Sequence, residues 1–274
     1  MQRLLVYTDL DGTLLDHHSY DFGPALPVLE RLERLGVPWI INTSKTFAEL
    51  RSLRQRLGHG HPFIVENGAA VYLPAGCLPG GEELPEEQGL RVRRFAPERR
   101  TLLERIAPLL ADYECTGFSQ MNVAELQACT GLAAEDARRA LQRNYSEPLL
   151  WRDSELALEH LSARVAACGL SLLRGGRFVH VMGQVDKATP MPWLGAQYAR
   201  QSTAPLQTLA LGDGQNDVAM LEAADRAVIV RSPTHAPPAV RGRSVTLTDA
   251  LGPAGWARAV SAVLDQLITE APDD

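Results

Sequence analysis

Short, continuously apolar runs alternate with helically spaced stretches at both ends of this chain. Leu4-Leu5-Val6-Tyr7-Thr8-Asp9 reads as a buried strand, followed by a polar loop. Leu26, Leu29, Leu32 and Leu35 then recur at helical spacing over Pro24–Leu35, with Gly36 as a stop signal. A second strand, Pro38–Asn42, runs into Thr43-Ser44-Lys45-Thr46, where Thr46 is placed as an N-cap with Glu49 three residues on. A third strand is Phe63-Ile64-Val65. The same alternation returns late in the chain: helix 187–200, strand 207–211, helix 216–223, strand 227–230 and helix 256–268. Apolar strands without polar alternation, interleaved with helices, predict a parallel sheet covered on both faces.

The middle differs. Pro74–Gly89 is rich in Pro, Gly and Glu and reads as a linker or long hairpin loop. Beyond it the pattern predicts strand 90–95, helix 98–111, helix 134–143, strand 149–151, helix 154–168 and a hairpin over 172–174 and 177–181. The fold class expected is therefore α/β: a Rossmann-like parallel-sheet core from 1–80 and 184–274, with an inserted α+β unit over 81–183. No internal repeat or low-complexity tract is present.

Composition narrows the function. At 274 residues with 45% hydrophobic and 22% charged, the chain is of globular type. A net charge of −6 disfavours nonspecific nucleic-acid binding, which needs clustered cations. No apolar run is long enough to span a bilayer, and the N-terminus lacks a basic segment and cleavage site, so neither a membrane role nor a signal peptide is expected. Cys77, Cys115, Cys129 and Cys168 form no CxxC pattern and read as small buried side chains in a reducing, cytoplasmic setting.

The chemistry sits at strand ends. The first strand ends in Asp9-Leu10-Asp11-Gly12-Thr13, and Thr208-Leu209-Ala210-Leu211 ends in Gly212-Asp213-Gly214-Gln215-Asn216-Asp217. Open parallel sheets place their sites beyond the carboxyl ends of the strands, so Asp9, Asp11, Thr43, Lys187 and Asp213 are expected to converge. A phosphate dianion near such carboxylates is repelled by about 4 kcal/mol per unit-charge pair at 4 Å, at an effective dielectric of ~20. Mg²⁺ reverses this. Asp9 and Asp213 are its expected carboxylate ligands, with the Asp11 carbonyl as a third oxygen and Asp217 as a further ligand or a group behind them. Lys187 is expected to hold both nucleophile and phosphate, Thr43 to donate its hydroxyl to a phosphoryl oxygen, and the Gly12 and Ser44 N–H groups to add donors. Asp9 is then the nucleophile, and Asp11 the acid that protonates the leaving alcohol and afterwards activates water.

These four motifs resemble those of the haloacid dehalogenase superfamily of phosphatases, and the insertion between Thr43 and Lys187 resembles a type 2 cap. The resemblance implies the same Rossmann-like core, Mg²⁺ and nucleophile. A narrower likeness rests on five further stretches. They are Thr43-Ser44-Lys45-Thr46, Asp16–Tyr20, Val65-Glu66-Asn67-Gly68-Ala69, Arg143–Pro148 and Gly175-Gly176-Arg177-Phe178-Val179-His180. Together they are similar to the mannosyl-3-phosphoglycerate phosphatase family, which implies a glycosyl-3-phosphoglycerate substrate, mannosyl or glucosyl, hydrolysed to a glycosylglycerate.

For such a substrate Arg177 is the expected bidentate partner of the carboxylate, with Arg143 as a second candidate. Glu147 and His180 are candidates for sugar hydroxyls, and Lys45 and Ser44 adjoin the phosphate position. Structural roles stand beside these: Arg143 suits a helix C-terminus, Glu147 a pairing with it, and His180 a hairpin interior. His17, His18 and Tyr20 suit substrate contact or a solvated loop. The expected partner is a small phosphorylated molecule, and the expected state a monomer or weak homodimer. Another sugar-phosphate phosphatase, a phosphomutase of the superfamily and a non-catalytic binding or regulatory protein are the alternatives. The insertion is expected to open and close over the core about linkers near 74–90 and 183–187.

Overall fold

The structure is a computed structural model that describes residues 3–78, 83–175, 177–242 and 244–269. The chain begins with β1 (Arg3–Thr8), α1 (Leu26–Arg34), β2 (Trp39–Asn42), α2 (Phe47–Leu57), β3 (Phe63–Val65) and β4 (Ala70–Leu73). β5 (Glu86–Glu87), β6 (Leu90–Arg94), α3 (Arg99–Leu110), β7 (Cys115–Gly117), α4 (Val123–Thr130) and α5 (Ala134–Leu141) follow. Next come β8 (Ser146–Trp151), α6 (Glu155–Ala167), β9 (Leu170–Arg174) and β10 (Val179–Gly183). The last stretch holds α7 (Met191–Ala199), β11 (Leu206–Gly212), α8 (Val218–Ala223), β12 (Arg226–Arg231), β13 (Val245–Leu251) and α9 (Gly252–Thr269).

Among the described residues the larger sheet has the order β13-β12-β11-β1-β2-β3-β4-β6-β5. Its first six strands pair in parallel, which needs the helical crossovers that the sequence supplies. Leu4 and Val6 of β1 face one apolar layer with α1, α2 and α9, whereas Leu5 and Tyr7 face the other with α7 and α8. Both faces of the sheet are thus buried, as the unalternating strand sequences require. β1 lies between β11 and β2, and the Asp9 N–H donates to the Leu211 carbonyl at 2.9 Å.

Some expectations change. Strand 90–95, placed in the insertion, pairs instead with β4 of the larger sheet, so the two sheets divide after β6 rather than at residue 81. Helix 187–200 begins only at Met191, because Asp186 closes a turn on the N–H groups of Ala188 and Thr189. Leu26 and Leu35 are exposed at 39% and 44% while Leu29 and Leu32 are buried. A strict three-residue step turns about 300° around a helix, so its outer members rotate off the buried face. All four cysteines are half-buried rather than buried. Gly176 and residues 79–82 of the expected linker lie outside the described residues.

The smaller sheet, β7-β8-β10-β9, is antiparallel. Leu102 and Ile106 of α3 and Leu161 and Val165 of α6 cover one face, packed on Leu149 and Val181. Residues directly opposite in an antiparallel pair share a face, and Glu147 pairs with Val181 while Pro148 pairs with His180. Glu147 therefore stands on the helix-covered side. His180 stands on the other side, with Ser146, which is the side turned to the core: the Ser146 hydroxyl bonds Glu66. No helix among the described residues is long and apolar enough to cross a membrane.

Candidate active site

Adjacent parallel strands bring the two acidic motifs together. β1 delivers Asp9 and β11 delivers Asp213, one register step apart at the same edge of the sheet. Asp9, Asp213 and Asp217 are buried, with one carboxylate oxygen of each within 4.8 Å of the others. Such packing of like charge needs compensation, and Lys187 supplies part of it. Its Nζ, fully buried, donates to Asp9 Oδ1 and to Asp217 Oδ1, each at 2.6 Å.

Backbone geometry makes the approach possible. Gly12 has φ +79°, and a Cβ there would stand 2.4 Å from Asp213 Oδ2. Gly212 is constrained likewise, since its Cβ would lie 2.5 Å from the Asp217 side chain. Asp217 is held by both oxygens: Oδ1 by Lys187, Oδ2 by the N–H groups of Asp213 (3.0 Å) and Gly214 (2.9 Å). Asp213 takes the Thr13 hydroxyl on Oδ1 at 3.1 Å, and its Oδ2 lies 3.2 Å from His235 Nε2.

Burial pushes the Asp9 carboxyl well above the usual range; Lys187 pulls against this, and Asp217, Asp213 and Asp11 reinforce it. Asp213 is raised by burial and by Asp217. Burial alone would lower Lys187, but Asp217 and Asp9 carry it above the ordinary lysine value. Once all are ionised, four carboxylates (Asp9, Asp11, Asp213, Asp217) face two ammonium groups (Lys45, Lys187), which leaves two negative charges in the cluster. A divalent cation matches that deficit, and an all-oxygen donor set suits a hard ion. Asp11 Oδ2 accepts from Lys45 Nζ at 2.8 Å, and its Oδ1 is buried without a partner among the described residues.

The loop after β2 lies beside this cluster. Thr43 is buried, and its Oγ1 accepts the Lys45 N–H at 3.2 Å; among the described residues its hydroxyl hydrogen meets no acceptor. Thr46 forms the expected capping box with Glu49, so α2 starts at this edge. Lys45 Nζ also lies 5.2 Å from the Tyr20 ring centroid, whereas His17 and His18 meet each other edge to face. A cavity of about 210 Å³ opens beside Lys45 and Tyr20, between α2 and α5, with Glu49, Arg56, Asp136 and Arg139 on its walls.

The cap residues separate into two groups. Arg143 is buried at the interface, donating to the Ser44 carbonyl at 2.8 Å and to the Ser146 hydroxyl at 2.8 Å. His180 is close to it: burial, then Arg143, pull its imidazole down to about 3, and Nδ1 is buried without a hydrogen-bond partner among the described residues. Glu147 and Arg177 do not join the site. Glu147 is buried on the helix side, paired with Arg99, and accepts the Ser119 N–H and hydroxyl at 2.7 Å each. The expected pairing of Glu147 with Arg143 is thus replaced by Arg99, a consequence of strand alternation that a one-residue face assignment decides. Arg177 is exposed, and its guanidinium bonds the Cys129 carbonyl at the end of α4.

Sequence reading missed His235 and the full part played by Glu66. His235 lies in a Ser-Pro-Thr-His-Ala-Pro-Pro loop without local signal for a site. Glu66 did carry one: Glu-Asn-Gly directly after a strand marks a tight turn at the functional edge.

The haloacid dehalogenase-like hydrolase family matches residues 6–88. A glucosyl-3-phosphoglycerate/mannosyl-3-phosphoglycerate phosphatase from Persephonella marina is 30% identical over 265 residues, covering 96% of this chain and 98% of that protein. A protein of the same description from Methanococcoides burtonii is 33% identical over 264 residues, covering 93% and 95%. Among solved structures, a phosphatase of the haloalkanoate superfamily from Bacteroides thetaiotaomicron superposes with TM-score 0.65 at 19% identity, covering 96% of this chain and 95% of its own. That likeness extends the shared fold to both sheets. At 30% and 33% identity to two such phosphatases over nearly the whole of each chain, this chain belongs to the haloacid dehalogenase-like hydrolases and is a phosphatase, a phosphoric monoester hydrolase, of that family.

Proposed function

We propose that this phosphatase is Mg²⁺-dependent and hydrolyses glucosyl- or mannosyl-3-phosphoglycerate through an aspartyl-phosphate. The observation that carries the chemistry is the buried set of Asp9, Asp213 and Asp217 around Lys187, with a net deficit that a divalent cation fits. Asp9 and Asp213 are the ligand carboxylates in this reading, together with the Asp11 carbonyl. Asp217, engaged through both oxygens, orients Lys187 and the 213–214 turn rather than binding the ion itself. When bound, Mg²⁺ cancels the repulsion between these carboxylates and a phosphate dianion.

The chain's own residues do the rest. Asp9 attacks phosphorus through one carboxylate oxygen, and the bond from phosphorus to the leaving oxygen breaks as Asp11 gives that oxygen its proton. Water then attacks the phosphoryl group, Asp11 takes a proton from it, and Asp9 is released with inorganic phosphate. Lys187, the Thr43 hydroxyl and the Ser44 N–H hold the phosphoryl oxygens during both steps, whereas the Gly12 N–H, also expected as a donor, is bonded instead to the Leu15 carbonyl at 2.9 Å. Lys45, paired with Asp11 in the free protein, turns to the anionic leaving group.

The substrate assignment rests on the two relatives, which are glucosyl-3-phosphoglycerate/mannosyl-3-phosphoglycerate phosphatases and whose lengths this chain spans almost completely. His180 supports it from the structure. Kept neutral, with an orphaned Nδ1 on the core-facing side, it suits sugar hydroxyls better than a second anion. Core and cap are assigned as 1–80 with 184–274 and 81–183, except that β5 and β6 extend the core sheet. A cytoplasmic location is part of this reading, supported by four unpaired cysteines. Phosphate release from both glycosyl-3-phosphoglycerates, beside hexose phosphates, tests it. Preference for a hexose phosphate would refute the substrate, and isomer formation without free phosphate would mark a mutase.

A further inference from the structure

The turn Glu66-Asn67-Gly68 is strained and central. All three residues have positive φ, at 48°, 57° and 94°. Such angles are uncommon for residues other than glycine and persist where the surroundings demand them. Here the demands come from four directions. The Glu66 and Asn67 N–H groups donate to the carbonyls of Lys45 (3.0 Å) and Thr43 (2.9 Å) in the proposed phosphate loop. Asn67 Oδ1 accepts from Asn216 Nδ2 at 3.3 Å. A Cβ on Gly68 would fall 1.8 Å from the Asp186 carbonyl, next to Lys187.

The fourth direction is the cap. The Glu66 side chain, 1% exposed, leaves the core and is bound by cap donors: the Asn144 N–H (2.8 Å), the Tyr145 N–H (3.1 Å) and the Ser146 hydroxyl (2.5 Å). Arg143 Nε lies 3.5 Å away, and the same guanidinium returns to the core through the Ser44 carbonyl. A carboxylate on one unit thus collects its partners from four consecutive residues of the other. Beside it, Tyr72 of the core meets the Tyr145 hydroxyl at 3.4 Å. No part of the proposed reaction uses this carboxylate.

We infer that Glu66 is a latch that seats the cap on the core, and so a positioning residue for substrates long enough to touch both units. This rests on the phosphatase reading and adds to it a determinant of selectivity by substrate size. The phosphate loop is tied to the Glu66 turn by backbone bonds, which a side-chain change leaves intact. The latch itself is made by the side chain alone. Removing the carboxylate therefore separates cap seating from phosphoryl chemistry.

The test compares wild type with Glu66→Gln and with Ser146→Ala, the milder change, on glucosyl-3-phosphoglycerate and on p-nitrophenyl phosphate. Scattering in solution is recorded in parallel. In Glu66→Gln, kcat/KM for the glycosyl substrate falls about tenfold or more, chiefly through KM, while that for the aryl phosphate changes less than about threefold. The radius of gyration rises as the cap loosens. Ser146→Ala shows the same pattern, smaller. Equal losses on both substrates with unchanged scattering, or no loss on either, would overturn the latch. Wild type that cleaves the aryl phosphate but not the glycosyl one would overturn the substrate reading instead, and scattering would then decide the latch alone.

Discussion

Gly12 and Asp213, from opposite ends of the chain, lie so close that a methyl group on the first would collide with the second, at 2.4 Å from Oδ2. The glycine conformation at φ +79° is therefore a condition for bringing the later acidic motif against the earlier one. Gly12→Ala should destabilise the protein by about 1–3 kcal/mol through backbone strain and displacement of Asp213. Its kcat should fall about 10²-fold, the scale of a misplacement near 1 Å. Thermal melts and phosphate release measure the two effects; a fully active variant would contradict the close approach.

Asp9→Asn should abolish turnover and leave the fold in place. The buried carboxylates repel one another around Lys187, so a neutral amide at this position should not lower the melting temperature of the metal-free protein. Residual phosphate release near the wild-type rate would remove Asp9 from the nucleophile's role.

Metal binding and pH are linked through Asp9 and Asp213, both raised by burial and by neighbouring carboxylates. Without a cation, the folded chain keeps protons that the unfolded chain releases. That contribution to stability is whole below the ordinary carboxylate range and is lost as pH rises through the raised values. Mg²⁺ needs the ionised oxygens, so its binding releases protons and tightens through the same window. The gap in melting temperature between Mg²⁺-loaded and EDTA-treated protein should widen as pH rises. A gap independent of pH would contradict the raised carboxylates.

Glu147 and His180 should respond oppositely, because they lie on opposite faces of one sheet. Glu147→Gln leaves Arg99 without its buried partner and should cost about 3–5 kcal/mol of stability, with little change in KM for the protein that remains folded. His180→Ala should spare stability by comparison and raise KM for the glycosyl substrate. Melting curves with Michaelis profiles for each variant separate the two.

The sequence carried the site's chemistry further than its surroundings. Asp9 and Asp213 were readable because strand, carboxylate and glycine fall in fixed order, and Thr46 because its capping box is local. Glu147 was misjudged because only register fixes the face a strand residue occupies. β4 went unread because the adjoining Pro/Gly-rich segment masked a short apolar run; α4 went unread although Asn122 with Glu125 and the terminal Gly131 bracket it, because its eight residues bury only Leu126 and show little apolar periodicity. β13 (Val245–Leu251) exposes the whole side carrying Val245, Leu247, Asp249 and Leu251 at the sheet edge and carries a weaker apolar signal than the central strands. Glu66 and His235 act through partners distant in sequence, at 143–146 and 213, which no local pattern records.

A crystal structure grown with Mg²⁺ tests the convergence of the two acidic motifs most directly. The account predicts one ion bound by a carboxylate oxygen of Asp9 and one of Asp213, each at about 2.0–2.1 Å. An ion held by only one of them, or at a different place on the chain, would contradict it.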